Sequence, residues 1–116
     1  MAPLALRVYS SRLLGSESSL VLYGGGNTSV KHEMEDQAGG VVRALSIKGS
    51  GTDLATIDAG GFAPLALDPL LRLRTLSIMA DDLMVELVAR TLLNTVAPRP
   101  SIETLLHAFI PLDWVD

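Results

Sequence analysis

The chain has 116 residues, 48% hydrophobic and 19% charged, which is one domain's length with enough apolar material for a core. A formal net charge of −4 without a basic run argues against nucleic acid and anionic membrane surfaces as partners. Zero cysteines exclude disulfides and thiolate metal sites and lean toward a reducing, cytoplasmic location, and no apolar run reaches a membrane span's length.

Residues 1–16 hold Arg7, Arg12 and several serines but no acid, a loose imitation of an organellar transit peptide. Leu6, Tyr9 and Leu13 fall on one helical face, so the segment is taken as the domain's first helix. Ser19 to Tyr23 is a short apolar run that reads as a buried strand. It leads into Gly24-Gly25-Gly26-Asn27-Thr28-Ser29, where glycines free backbone N–H groups and the Asn amide and hydroxyls add further hydrogen-bonding groups. Such a loop can wrap a phosphate or simply turn tightly. It matches neither a Walker loop nor a dinucleotide fingerprint. Residues 31–40 are polar and acidic and end in Gly39-Gly40, which predicts a hairpin-like connection carrying His32. Val41 to Lys48 is the second strand, and it too ends in a glycine–hydroxyl cluster, Gly49-Ser50-Gly51-Thr52-Asp53-Leu54. Two strands delivering two such loops favour an anion site over two unrelated turns, because their ends can lie side by side in one sheet.

Phe62 to Leu67 reads as a third strand, with Pro64 marking an edge or bulge, and Asp68-Pro69 opens a short helix. Ala80 to Leu93 is a packing helix with Leu83, Met84, Leu87, Val88 and Leu92 on its apolar stripe and Glu86 paired with Arg90 one turn on. Asn94 to Pro100 is a loop. At Pro100-Ser101 a last helix begins, with Ser101 as N-cap and Ile102, Leu105, Leu106 and Phe109 as its apolar stripe. Glu103 and His107 lie one turn apart on the flank of that stripe. The carboxylate either suits the helix dipole or stands beside an anion held at the helix entrance. The chain closes with residues 111–116, without repeats or an internal domain boundary.

Gly26-Asn27-Thr28-Ser29, Lys48-Gly49-Ser50-Gly51-Thr52-Asp53-Leu54 and Pro100-Ser101-Ile102-Glu103, in this order and spacing, resemble the class II aldolase/adducin family over nearly the whole chain. The long second motif with Thr56-Ile57-Asp58 is most similar to the aldolase half of bifunctional rhamnulose-phosphate aldolase/short-chain dehydrogenase proteins. The resemblance implies an α/β fold, with α/β/α layers around a mainly antiparallel sheet. It also implies a zinc-dependent lyase that cleaves a sugar 1-phosphate, rhamnulose-1-phosphate-like, into dihydroxyacetone phosphate and an aldehyde. By position, Asn27, the Ser50-Gly51 turn and Ser101 match the family's phosphate cradle, with Thr28 and Ser29 beside Asn27 as further substrate-binding residues. Glu103 matches its acid/base carboxylate.

Two departures stand out. Ile102 occupies a place where relatives carry a second serine, and the zinc-binding His-x-His pair is absent, since His32 and His107 are the only histidines. Residues 1–116 are therefore expected to be the N-terminal portion of an incomplete domain, ending before the metal strand and holding no metal ligands. Zinc would be bound by the full-length domain, not by this chain alone. His107 is read as a helix-flank histidine or one lying behind the site. The implied partners are a phosphorylated ketose, copies of itself in a full-length homo-oligomer and a C-terminal short-chain dehydrogenase domain. An adducin-like interaction domain and an epimerase or dehydratase on the same fold are the alternatives. Asn27, the Gly49–Asp53 turn and Glu103 together favour the enzyme, since scaffolding needs none of them.

Overall fold

The computed structural model describes residues 2–17, 26–36, 38–73, 81–93, 97–100 and 103–116. Helix α1 spans Pro3–Gly15, started by a proline whose missing N–H is no loss in a first turn. Strand β1, Ser29–Glu35, pairs antiparallel with β2, Val41–Lys48, from Ser29 opposite Ile47 to Glu35 opposite Val41. Asp36 closes the hairpin, its Oδ1 accepting from the backbone N–H groups of Ala38 and Gly40 at 2.9 Å each. A 3-10 turn at Ala59–Gly61 leads to β3, Phe62–Ala66, on the other side of β2. Helices α2, Leu67–Arg72, α3, Asp81–Ala89, and α4, Thr104–Phe109, follow, and a two-residue strand β4, Trp114–Val115, returns beside β1. The sheet order is β3-β2-β1-β4, antiparallel throughout.

Helices cover both faces of this sheet. Successive strand residues point to opposite faces, and the Thr28 hydroxyl meets Ser11 on α1 while the next residue, Ser29, meets His107 on α4. The α2/α4 side holds the apolar core of Leu45, Ile47, Ala63, Leu65, Leu67, Leu70 and Ala108, with Val88, Leu92, Leu105 and Phe109 packed against it. Among the described residues no helix is long and apolar enough to cross a membrane.

Several expectations change. Residues 31–40 are not one connection: the polar run through Glu35 is β1, and His32 sits half-buried within it, its Nε2 2.7 Å from Ser46 Oγ. Partners supplied by neighbouring elements let these polar side chains enter a sheet. The supposed inner face of α1 is its outer one, with Leu6, Tyr9 and Leu13 at 42, 58 and 55% exposure and Arg7 and Ser11 buried. Arg7 ion-pairs with Asp116 at 2.6 Å, donates to the Ser29 carbonyl at 3.3 Å and lies over the Trp114 ring, so a polar clamp rather than a greasy stripe seats the helix. Leu67 belongs to α2, not β3. On α3, Leu83 is exposed while Met84, Leu87 and Val88 are half-buried, and the Glu86–Arg90 pair forms at 2.6 Å. The last helix begins at Thr104, so Glu103 precedes its first turn. Its buried face is Thr104, His107 and Ala108, with Leu106 outside. The strand expected at Ser19 to Tyr23 lies outside the described residues.

The two kinds of leucine separate cleanly in a stability test. Leu65→Ala, inside the core, should cost about 2–5 kcal/mol in urea unfolding, whereas Leu13→Ala on the outer face of α1 should stay within about 0.5 kcal/mol. A loss at Leu13 as large as at Leu65 would mean that the outer face of α1 is covered in solution.

Candidate functional site

Three stretches meet where β1 starts and β2 ends. The Lys48 N–H donates to the Thr28 carbonyl at 3.0 Å, which joins the residues entering β1 to the end of β2. Beyond Lys48 the chain turns through Gly49, Ser50 and Gly51. Gly49 pairs with Pro100 in an antiparallel bridge, and the Ser50 N–H donates to the Arg99 carbonyl at 2.8 Å. A side chain at Gly49 would place its Cβ 2.6 Å from Pro98 Cγ and 3.0 Å from the Gly61 carbonyl oxygen, so only glycine allows this approach. Gly51 has φ +84°, and the Thr52 hydroxyl donates back to the Gly49 carbonyl at 2.9 Å to close the turn. Past Pro100 the chain reaches Glu103, whose Oε2 accepts from Asn27 Nδ2 at 2.7 Å. Thus Asn27 from the first motif, the Gly49–Gly51 turn from the second and Glu103 from the third are neighbours.

The individual side chains differ in what they offer. Glu103, Ser50 and Gly51 are exposed and Asn27 is half-buried, so this end of the sheet is open to a solute. Ser101 and Ile102 lie outside the described residues. Thr28 and Ser29 are buried and turn their hydroxyls inward, to Ser11 Oγ and His107 Nδ1, each at 2.7 Å. Through those hydroxyls they fasten the loop rather than face the open side.

Lys48 went unassigned in the sequence. Its side chain is 4% exposed, and its only hydrogen bond among the described residues is a long one, 3.5 Å from Nζ to the Gly49 carbonyl. Burial pushes its pKa down, while the charges of Glu103 and Asp53 pull it back up. A lysine ending a buried strand directly before a glycine–serine turn was the signal available for it. The two histidines are also held below their ordinary value. Burial dominates for both; for His107, Glu103 and Asp116 oppose it while Lys31 and Arg7 reinforce it.

A metal centre does not fit these residues. Among the described residues no group of three His, Cys, Asp or Glu side chains comes together as ligands. His32 and His107 each engage a ring nitrogen with a serine hydroxyl. Because neighbouring strand residues alternate in facing, His32 lies on the α1 side and His107 on the α4 side.

No protein-family model matches the chain. It is 44% identical over 109 residues to a Bacillus subtilis protein named as an uncharacterized oxidoreductase, YuxG; the match takes in 94% of this chain and 16% of that protein. A solved structure, the N-terminal class II aldolase domain of a conserved protein from Thermoplasma acidophilum, superposes with a TM-score of 0.92 at 42% identity. That superposition covers 97% of this chain and 53% of the other, so the chain spans about half the length of the solved neighbour.

The depressed histidines predict an acid-sensitive fold. Above the ordinary value of 6.5 both states are uncharged at these rings. Below it the unfolded chain takes up protons first, so stability falls until the pH passes the lower folded-state pKa, then levels. The urea midpoint should drop between about pH 7 and pH 5, and less so in the His32→Asn/His107→Asn double variant. Equal drops in both proteins would take the histidines out of the effect.

Proposed function

Because the chain belongs to the class II aldolase family, we propose that it supplies the phosphate-holding and proton-transferring part of a site that cleaves a ketose 1-phosphate into dihydroxyacetone phosphate and an aldehyde. The observation that carries this reading is the 2.7 Å contact of Asn27 with Glu103 beside the Gly49–Gly51 turn. Short polar side chains on a tight glycine turn suit a phosphate, and a carboxylate held next to them suits proton transfer on the carbon skeleton that the phosphate anchors. In this proposal Asn27, Ser50, Gly51 and Ser101 take the phosphate, and Thr28 and Ser29 hold their loop in place. Lys48, with its buried ammonium near Glu103 and Asp53, offsets negative charge from below.

Cleavage breaks the bond between C3 and C4 of the ketose as the C4 hydroxyl gives its proton to solvent and becomes the aldehyde, and the bonding pair moves toward the C2 carbonyl as an enediolate. Glu103 in its acid form then gives a proton to C3, leaving dihydroxyacetone phosphate. In the condensation direction its carboxylate removes that same proton. Zinc, which the family resemblance implies, has no ligand set among the described residues. The Bacillus subtilis relative's name, oxidoreductase, together with its much greater length, supports a dehydrogenase domain elsewhere in the full-length protein.

The test is solvent deuterium exchange into dihydroxyacetone phosphate by the full-length protein. Glu103→Gln should slow exchange by about 10²–10⁴-fold while phosphate affinity stays near the parental value. Exchange at the parental rate removes Glu103 from the mechanism.

A further inference from the structure

A second contact between the same two elements lies directly behind the exposed one. Asn27 lies two residues before Ser29, which opens β1, and Glu103, the residue capping the start of α4, lies four before His107. Two strand residues advance about 6.6 Å and four helix residues about 6.0 Å, so the two pairs can meet in register. They do: Asn27 Nδ2 lies 2.7 Å from Glu103 Oε2, and Ser29 Oγ lies 2.7 Å from His107 Nδ1. The Glu103 carbonyl accepts the His107 N–H at 3.1 Å, which makes the helical turn between them rigid.

From this geometry we propose that the buried Ser29–His107 pair is a positioning device for Glu103, setting the register in which the carboxylate meets Asn27. The inference rests on the acid/base reading of Glu103 and adds two residues to it. The outer contact is open to water, which competes for both partners. The inner one is shielded, with Ser29 at 0% and His107 at 4% exposure, so no solvent molecule replaces it when it is lost. The imidazole is a rigid ring with few torsions, and its uncharged form shares a single hydrogen with the serine hydroxyl. Charges of both signs act on the ring, Glu103 and Asp116 against Lys31 and Arg7, from α4, β1, α1 and the residue after β4. Sliding α4 by one residue along β1 would break both contacts together, and that coupling is what gives the inner pair control of the outer.

The variants are made in the full-length protein. Ser29→Ala and His107→Leu should each lower kcat at least tenfold with KM within about twofold, and the double variant should be no worse than the poorer single one. His107→Asn carries its amide nitrogen where the imidazole carries Nδ1, and should retain most of the parental kcat. Crystal structures give an activity-free readout. The Asn27–Glu103 contact should open beyond hydrogen-bond reach in His107→Leu and persist in His107→Asn. Parental kcat in Ser29→Ala and His107→Leu, beside an inactive Glu103→Gln, overturns the positioning role and leaves the acid/base reading standing. Equal losses in His107→Leu and His107→Asn that track a fall in melting temperature overturn it too, as plain destabilisation. An active Glu103→Gln sinks the acid/base reading instead, and the two crystal structures still decide whether the pair sets the register.

Discussion

A polar strand in the middle of a sheet must find a partner for every side chain it buries, and β1 imposes that demand on this fold. Thr28 and Ser29, leading into and opening the strand, and Lys31 within it are buried, and His32 is half-buried. Leaving one such group unpaired would cost about 1–3 kcal/mol. Each is answered by a different element: Ser11 of α1 for Thr28, His107 of α4 for Ser29, the Ile110 and Leu112 carbonyls after α4 for Lys31, and Ser46 of β2 for His32. The apolar core on the α2/α4 side supplies the bulk of the burial, but these five contacts fix which part of each neighbour lies against the strand.

The inverted helices follow from the same demand. A helix that packs on an apolar surface turns its leucines inward. Here α1 packs on the polar entrance of β1 and on β4, so Arg7 and Ser11 go in and Leu6, Tyr9 and Leu13 stay out. Likewise α4 buries Thr104 and His107 beside Ala108. The charged pairs farther out, Arg43 with Asp113 and Glu86 with Arg90, are well exposed on both sides and add little to stability. The exception is Arg7, whose buried guanidinium is tied to an exposed carboxylate and to strand carbonyls at once.

This arrangement places the candidate site at the seam between rigid elements and loops. The Asn27 side emerges from a strand pinned on both faces, the Gly49–Gly51 turn is braced by residues 98–100, and Glu103 stands at the head of a helix bonded to that strand. Short loops on a fixed frame can hold polar groups still without burying them. Lys48 shows the same economy, a buried cation near two carboxylates at the end of β2.

The sequence by itself determined the elements whose signals are local. Val41–Lys48 ends as a strand where its branched residues give way to glycine, residues 1–16 hold a helix, Leu67–Arg72 forms around Asp68-Pro69, and Glu86 pairs with Arg90 across one turn. It also held the three motifs in order, and with them the family. Only the tertiary structure decided which side of each element faces inward, that residues 29–35 form a strand, and that Thr28 and Ser29 fasten the loop through their hydroxyls. The physical reason is distance along the chain. The partners that make those polar residues buriable lie 17, 78 and 79 positions away, at Ser11, His107 and Ile110, and no periodicity read along the sequence reports a hydrogen bond that far off.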